Sequence, residues 1–387
     1  MLKSLDEKIG RILSDSSCKD FLLADAKDAD MAYGIAAPGK SPEHHAQEGK
    51  FRTLAEYRQQ IREVIKQAKV DIVLMSASTN ELLTIEERLF DNSPVTPAAR
   101  ANDTTDIHLA TGARYAEQAA RPFRTATIDH IQCGKYACSP DERQLGANLG
   151  LYSVTFNNDI ELDLPTLEAF KEFRLEAEQK GFRYFLEVFS PNMPNAVNPD
   201  KLGQFINDHI VRDLAGVTKA GRPLFLKVVY LGPQFMEQLA MYDPALIPGI
   251  LGGAAGTTYD AFKMLTEAKH HGAKIALYGR KINNAENQLA FISFLKLLAD
   301  DDIKPEEAVR AYHAVLKKLE ITPYRSLEDD LKITNPALSY RGKTEKVVVP
   351  DSINTQDSKY PKQSDGTPDF KNMTAKEKLV YNRQRLK

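Results

Sequence analysis

The sequence predicts an α/β protein, a (β/α)8 TIM barrel with an insertion after strand two and an extended C-terminal tail. Three observations carry this. From about residue 20 to residue 300, short β-branched or apolar runs alternate with longer stretches of helical period. The runs number eight, and polar residues interrupt several of them near their C-terminal ends. Such alternation marks βα units on a mainly parallel sheet. Eight is the count at which that sheet closes into a barrel filled by its own side chains.

The strands are read as FLLADA from Phe21, DIVLMSA from Asp71, TATIDHI from Thr125, LYSVTF from Leu151, RYFLEVF from Arg183, PLFLKVV from Pro223, PGILGG from Pro248 and AKIALYG from Ala273. Between them, Leu164 to Gly181 has apolar residues spaced by three and four and ends at a glycine suited to a helix C-terminus. Thr258 to Gly272 opens on a possible threonine cap with an acid in its first turn and also ends at glycine. NQLAFISFLKLLADD and PEEAVRAYHAVLKKLEI follow strand eight as two amphipathic helices, the second opened by Pro305 at a first-turn position. Residues 79–123, rich in Asn, Asp, Thr, Ala and Arg, are read as an insertion at the catalytic mouth, the alternative being a misplaced strand. The domain expectation is a barrel over 1–332 and a tail over 333–387. Within the latter, residues 339–387 hold eleven Lys/Arg against six Asp/Glu, with three prolines.

Hydrophobic residues at 42% and charged residues at 27% are ordinary for a globular chain, and no apolar run approaches the ~20 residues that cross a bilayer. A net charge of -2 gives no global pull toward nucleic acid or anionic lipid. The acids scattered through MLKSLDEKIGRILSDSSCKD fit neither a secretory signal nor a transit peptide, so a cytoplasmic location is expected. Cys18, Cys133 and Cys138 contain no CxxC pair and are read as reduced structural thiols. No metal-ligand cluster is evident, and neither metal nor cofactor is expected.

In a parallel barrel the chemistry sits at strand C-termini and the loops after them. Lys227, between Leu226 and Val228 on strand six, is the leading candidate. A charged amine is costly in an apolar strand. An amine taken out of water gives up its proton more readily and then attacks a carbonyl to form an imine. A lysine pointing outward, or held in an ordinary ion pair, fits the same spacing. Glu187 and Asp25 are placed to neutralise it or to move protons, and Lys27 is a possible second amine. Asp129 and His130 at the end of strand three, and Asn157 and Asn158 after strand four, are possible substrate contacts. Gly252 and Gly253 on strand seven, with Gly279 and Arg280 on strand eight, suit an anion: glycine lets backbone N–H groups approach it and arginine adds a charged fork.

LKVVYLGPQFMEQLA, GILGGAAGTTYDAFKMLTEAKHHGA and KIALYGRKI, covering roughly residues 223–284, resemble the class I, metal-independent aldolases that include archaeal-type fructose-bisphosphate, tagatose-bisphosphate and deoxyribose-phosphate aldolases. LLADAKDAD resembles their first-strand acidic motif, and FLEVFSPN the fifth strand of the tagatose-type enzymes. The resemblance implies Lys227 as the imine lysine, Asp25 as the first-strand acid, and Gly252, Gly253, Gly279 and Arg280 as the phosphate cradle. It implies carbon–carbon cleavage of a ketose phosphate or related sugar acid, and a homo-oligomer, to which the tail is expected to contribute contacts. An imine-forming transaldolase or synthase, or a silent sugar-phosphate-binding scaffold, are the alternatives. The sequence departs from that family on strand four, where its assisting tyrosine aligns with Thr155 or Phe156, with Tyr152 displaced. GGAAGTT replaces a more usual glycine-proline-lysine segment.

Overall fold

Eight parallel strands close on one another in the computed structural model of the protein, which describes residues 2–15, 17–39, 51–108, 110–253 and 256–335, with 338, 372 and 374. They are β1 (Leu22–Lys27), β2 (Ile72–Met75), β3 (Thr96–Arg100), β4 (Leu149–Thr155), β5 (Arg183–Phe189), β6 (Leu226–Val228), β7 (Gly249–Leu251) and β8 (Ile275–Tyr278), each hydrogen-bonded to its sequence neighbours and β8 to β1. The register sets Ser153 beside Glu187 and Glu187 beside Lys227. The main helices are α1 (Ser4–Ser14), α2 (Leu54–Gln67), α3 (Ile160–Gln179), α4 (Leu202–Ala215), α5 (Pro233–Tyr242), α6 (Thr258–His270), α7 (Gln288–Ala299) and α8 (Pro305–Lys318). No helix of the described residues is long and apolar enough to cross a membrane.

Side chains alternate across a strand, so each strand feeds two cores. Leu22, Ala24 and Ala26 of β1, Ile72 and Leu74 of β2, Ala98 of β3, Leu149 and Leu151 of β4, Phe185 of β5 and Leu277 of β8 fill the barrel interior with Phe225 and Ile247. Their outward neighbours, such as Leu23, Val73, Ala99, Val154, Val188, Leu226 and Tyr278, pack under the helices. Leu5, Ile9 and Ile12 of α1 join the interior cluster and close its N-terminal end.

Strand three is not where the sequence placed it. TATIDHI contains a short helix, Ile128–Cys133, capped by Thr127, whose hydroxyl accepts from the His130 N–H, and ended by Gly134 at φ +73°. Asp129 and His130 therefore sit on a helix. Asp129 pairs with Lys180 and with Arg143 at 2.9 Å, while His130 is exposed and bonds Thr127. The barrel strand lies inside the stretch read as an insertion, and the long excursion follows β3 rather than β2. Cys133 and Cys138 form a disulfide, against the reading of reduced thiols. Of the tail expected over 333–387, only Ile333–Asn335 and residues 338, 372 and 374 are described; the remainder lies outside the described residues.

Candidate active site

Alternation decides what the barrel mouth contains. Asp28, Arg100, Ser153, Glu187 and Lys227 each stand two residues beyond an interior residue, namely Ala26, Ala98, Leu151, Phe185 and Phe225. Period two therefore turns all five inward at the strands' C-terminal ends. There a cavity of about 110 Å³ is lined by Asp28, Arg100, Glu187 and Lys227, by Tyr33 from the short helix Asp30–Tyr33 and Ile107 from a turn, and by Gly252, Gly253, Gly279 and Arg280 from the ends of β7 and β8.

Lys227 Nζ lies 2.6 Å from Glu187 Oε1, with both side chains buried. Glu187 Oε2 accepts from Ser153 Oγ at 2.7 Å and stands 3.9 Å from Arg100. Arg100 Nε donates to Asp28 at 2.5 Å, and its fork reaches Asp103 at 3.5 Å. Two cations thus share three carboxylates in a chain from β1 through β3 and β5 to β6. Burial alone would lower the Arg100 pKa, but Asp28, Glu187 and Asp103 raise it above the usual arginine value. Burial pushes Asp103 up to about 6 despite Arg100.

The two strand-end glycine pairs do different work. A Cβ on Gly252 would lie 2.1 Å from the Tyr278 ring, and one on Gly279 would lie 2.7 Å from the Ala26 carbonyl, so both keep β7, β8 and β1 in close contact. Gly253 has φ +58° and open space around its Cα. Its role is the turn that brings backbone to the cavity. The Arg280 guanidinium lies 5.4 Å over the Tyr33 ring at the same rim.

Of the residues named from sequence, Lys227, Glu187, Gly252, Gly253, Gly279 and Arg280 meet at one cavity. Asp25, Lys27 and Asn157 do not line it. Asp25 and Lys27 fall on the outer phase of β1, between barrel and helices. Lys27 Nζ donates to Gln288 at 2.7 Å and Asn283 at 3.4 Å and lies 5.8 Å from the Tyr57 ring centroid, while Asp25 is 3.6 Å from it with neither carboxylate oxygen hydrogen-bonded. Burial pushes Asp25 up to about 6 against the pull of Lys27, and lowers Lys27 against that of Asp25. Asn157 ties two loops together: its side chain bonds Asn192 and the Met193 N–H, and its own N–H bonds Asp163. Asn158, at φ +59°, bonds the Ala196 carbonyl. On β4, Tyr152 faces outward and stacks on Phe173 at 4.3 Å, Thr155 donates to Asp106, and Phe156 stacks on His209.

Asp28, Tyr33, Arg100 and Ser153 were not named from sequence. Asp28 was in phase with Leu22, Ala24 and Ala26, a signal available in LLADAKD but weaker to the eye than the acid inside the strand. Arg100 was hidden with its strand.

No protein-family model matches the sequence, and no curated protein does. Solved structures match in fold. A Schiff-base-forming fructose-1,6-bisphosphate aldolase is 16% identical, with 76% of this chain covering 100% of that one at a TM-score of 0.54. An archaeal fructose-1,6-bisphosphate aldolase, solved with its catalytic lysine bound to the carbinolamine intermediate, is 16% identical over 76% of this chain and 99% of its own, with a TM-score of 0.52. The fructose-bisphosphate aldolase of Slackia heliotrinireducens is 12% identical over 81% and 92%, with a TM-score of 0.55. What the chain shares with these aldolases is the closed (β/α)8 barrel.

Proposed function

We propose that the protein is a class I aldolase that cleaves or forms a carbon–carbon bond of a phosphorylated ketose through an imine on Lys227. One observation carries the reading: a buried lysine inside the C-terminal mouth of the barrel with a carboxylate 2.6 Å from its Nζ, beside a rim of glycine backbone and Arg280.

Glu187 takes a proton from the Lys227 ammonium, and the amine lone pair attacks the substrate carbonyl carbon. The carbinolamine hydroxyl leaves as water, protonated by Glu187, which accounts for the proton first removed. The protonated imine then accepts the electron pair of the bond between its α and β carbons as Asp28 removes the proton of the β-hydroxyl. The aldehyde departs and an enamine remains. Proton return and hydrolysis release the ketone and the free lysine. Gly253, Gly279 and Arg280 hold the distal phosphate, so that binding energy there orients the reacting bond.

Borohydride reduction in the presence of dihydroxyacetone phosphate, pyruvate or mixed sugar phosphates, followed by mass spectrometry, tests this. We expect an irreversible adduct on Lys227 with a phosphorylated ketone. No adduct at Lys227 across the panel would overturn the proposal, and an adduct with pyruvate alone would move the substrate to unphosphorylated keto acids.

A further inference from the structure

The segment Arg280–Asn284 faces two cavities. Arg280 lines the one containing Lys227; Lys281 and Asn284 line another of about 420 Å³, walled also by Phe291 of α7 and by Glu286, Tyr324 and Arg325. That volume is within the roughly 300–1,000 Å³ typical of small-molecule sites. The Lys281 ammonium donates to the Gly256 carbonyl at 2.9 Å, and no carboxylate of the described residues lies within ion-pair distance of it. Glu286, the acid on the wall, is already engaged: its Oε2 accepts from Tyr312 and its Oε1 from the Tyr324 N–H. Arg325, exposed at the opening, likewise has no ion pair among the described residues. Burial, with the like charge of Arg325, lowers the Lys281 pKa against the pull of Asp330, Asp260 and Glu286. A largely buried ammonium held by one carbonyl is an unfavourable arrangement that a bound anion relieves.

We propose that this cavity binds a phosphate monoester of a planar or apolar group, its phosphate between Lys281 and Arg325 and its apolar part against the exposed Tyr324 ring. The two cations offer several donors to the phosphate oxygens, and the Tyr324 ring favours an organic ester over the bare anion. The site is independent of the imine chemistry proposed for Lys227, so each proposal stands or falls alone.

Calorimetric titration of the full chain with phenyl phosphate, inorganic phosphate and phenol tests it. Phenyl phosphate should bind saturably, at least tenfold tighter than inorganic phosphate, while phenol shows no binding. Lys281→Gln and Arg325→Ala should each weaken phenyl phosphate tenfold or more, and Lys171→Ala, which removes an exposed cation on α3, should leave it unchanged. Because Arg325 is exposed, Arg325→Ala carries the test if Lys281→Gln fails to fold. The proposal is overturned if wild type shows no saturable binding, if phenyl and inorganic phosphate bind equally, or if Arg280→Ala in the other cavity abolishes binding while Arg325→Ala does not weaken it.

Discussion

With Glu187 Oε1 2.6 Å from its ammonium, Lys227 has a proton acceptor in place, and Ser153 and Arg100 keep that carboxylate aimed at it. Glu187→Gln preserves size and the Ser153 contact but removes the acceptor. Its turnover should fall by about 10²–10⁴-fold, the usual range for loss of a general acid–base, and borohydride trapping should slow with it. Trapping at the wild-type rate would assign the proton transfers to another group. Asp25 makes a different prediction, about stability. Its pKa is raised in the fold to about 6 from 3.8, so its contribution to stability is fully present below about pH 4 and is lost as pH rises through 6. Over that window wild type should lose up to about 3 kcal/mol that Asp25→Asn does not lose, since each tenfold difference in proton affinity between the folded and unfolded chain is worth about 1.4 kcal/mol. Urea unfolding of both proteins at pH 4.5 and 7.5 reads the difference, and equal pH dependence would show the carboxyl to be solvated.

At the level of the strand, β3 shows why part of the barrel was not legible. Thr96–Arg100 reads TPAAR, with one β-branched residue and a proline, yet all five residues are buried. Small side chains suffice because the interior there is shared with Leu74 and Leu151 from neighbouring strands. The β-branched TATI, by contrast, forms a helix start because a capping threonine and a terminating glycine outweigh strand propensity over so short a run. The other seven strands were legible because their apolar runs are long or flanked by glycine. The phase of β1 was not, since a strand buried on both faces carries no alternation to say which side holds the cavity. Losing β3 also concealed Arg100, the side chain that joins Asp28, Asp103 and Glu187. Arg100→Met leaves those carboxylates buried without their shared cation, and should destabilise the fold by roughly 3–5 kcal/mol. Denaturant titration measures this, and a loss below about 1 kcal/mol would mean that water already solvates the cluster.

On the scale of the whole molecule the barrel has one end that holds the Lys227 cavity and another that a helix closes. Helix α1 closes the second: Lys3 bonds the Phe90 and Ser93 carbonyls, Lys8 reaches Asp71 at 2.9 Å and the Phe21 carbonyl, and Asp6 pairs with Arg183, all at or just before strand N-termini. Leu5, fully buried, packs into the interior cluster that includes Phe185 and Phe225, two residues upstream of Glu187 and Lys227. Leu5→Ala should therefore cost about 2–5 kcal/mol, the range for a buried leucine whose cavity cannot collapse. The strands between it and the mouth are hydrogen-bonded all round and transmit little of that loss, so the rate of borohydride trapping at Lys227 should stay within about twofold of wild type under native conditions. Unfolding and trapping measured on the same preparation separate the two ends. If trapping fell in proportion to stability, the floor of the barrel would be setting the position of Lys227, and the division of labour between its ends would be wrong.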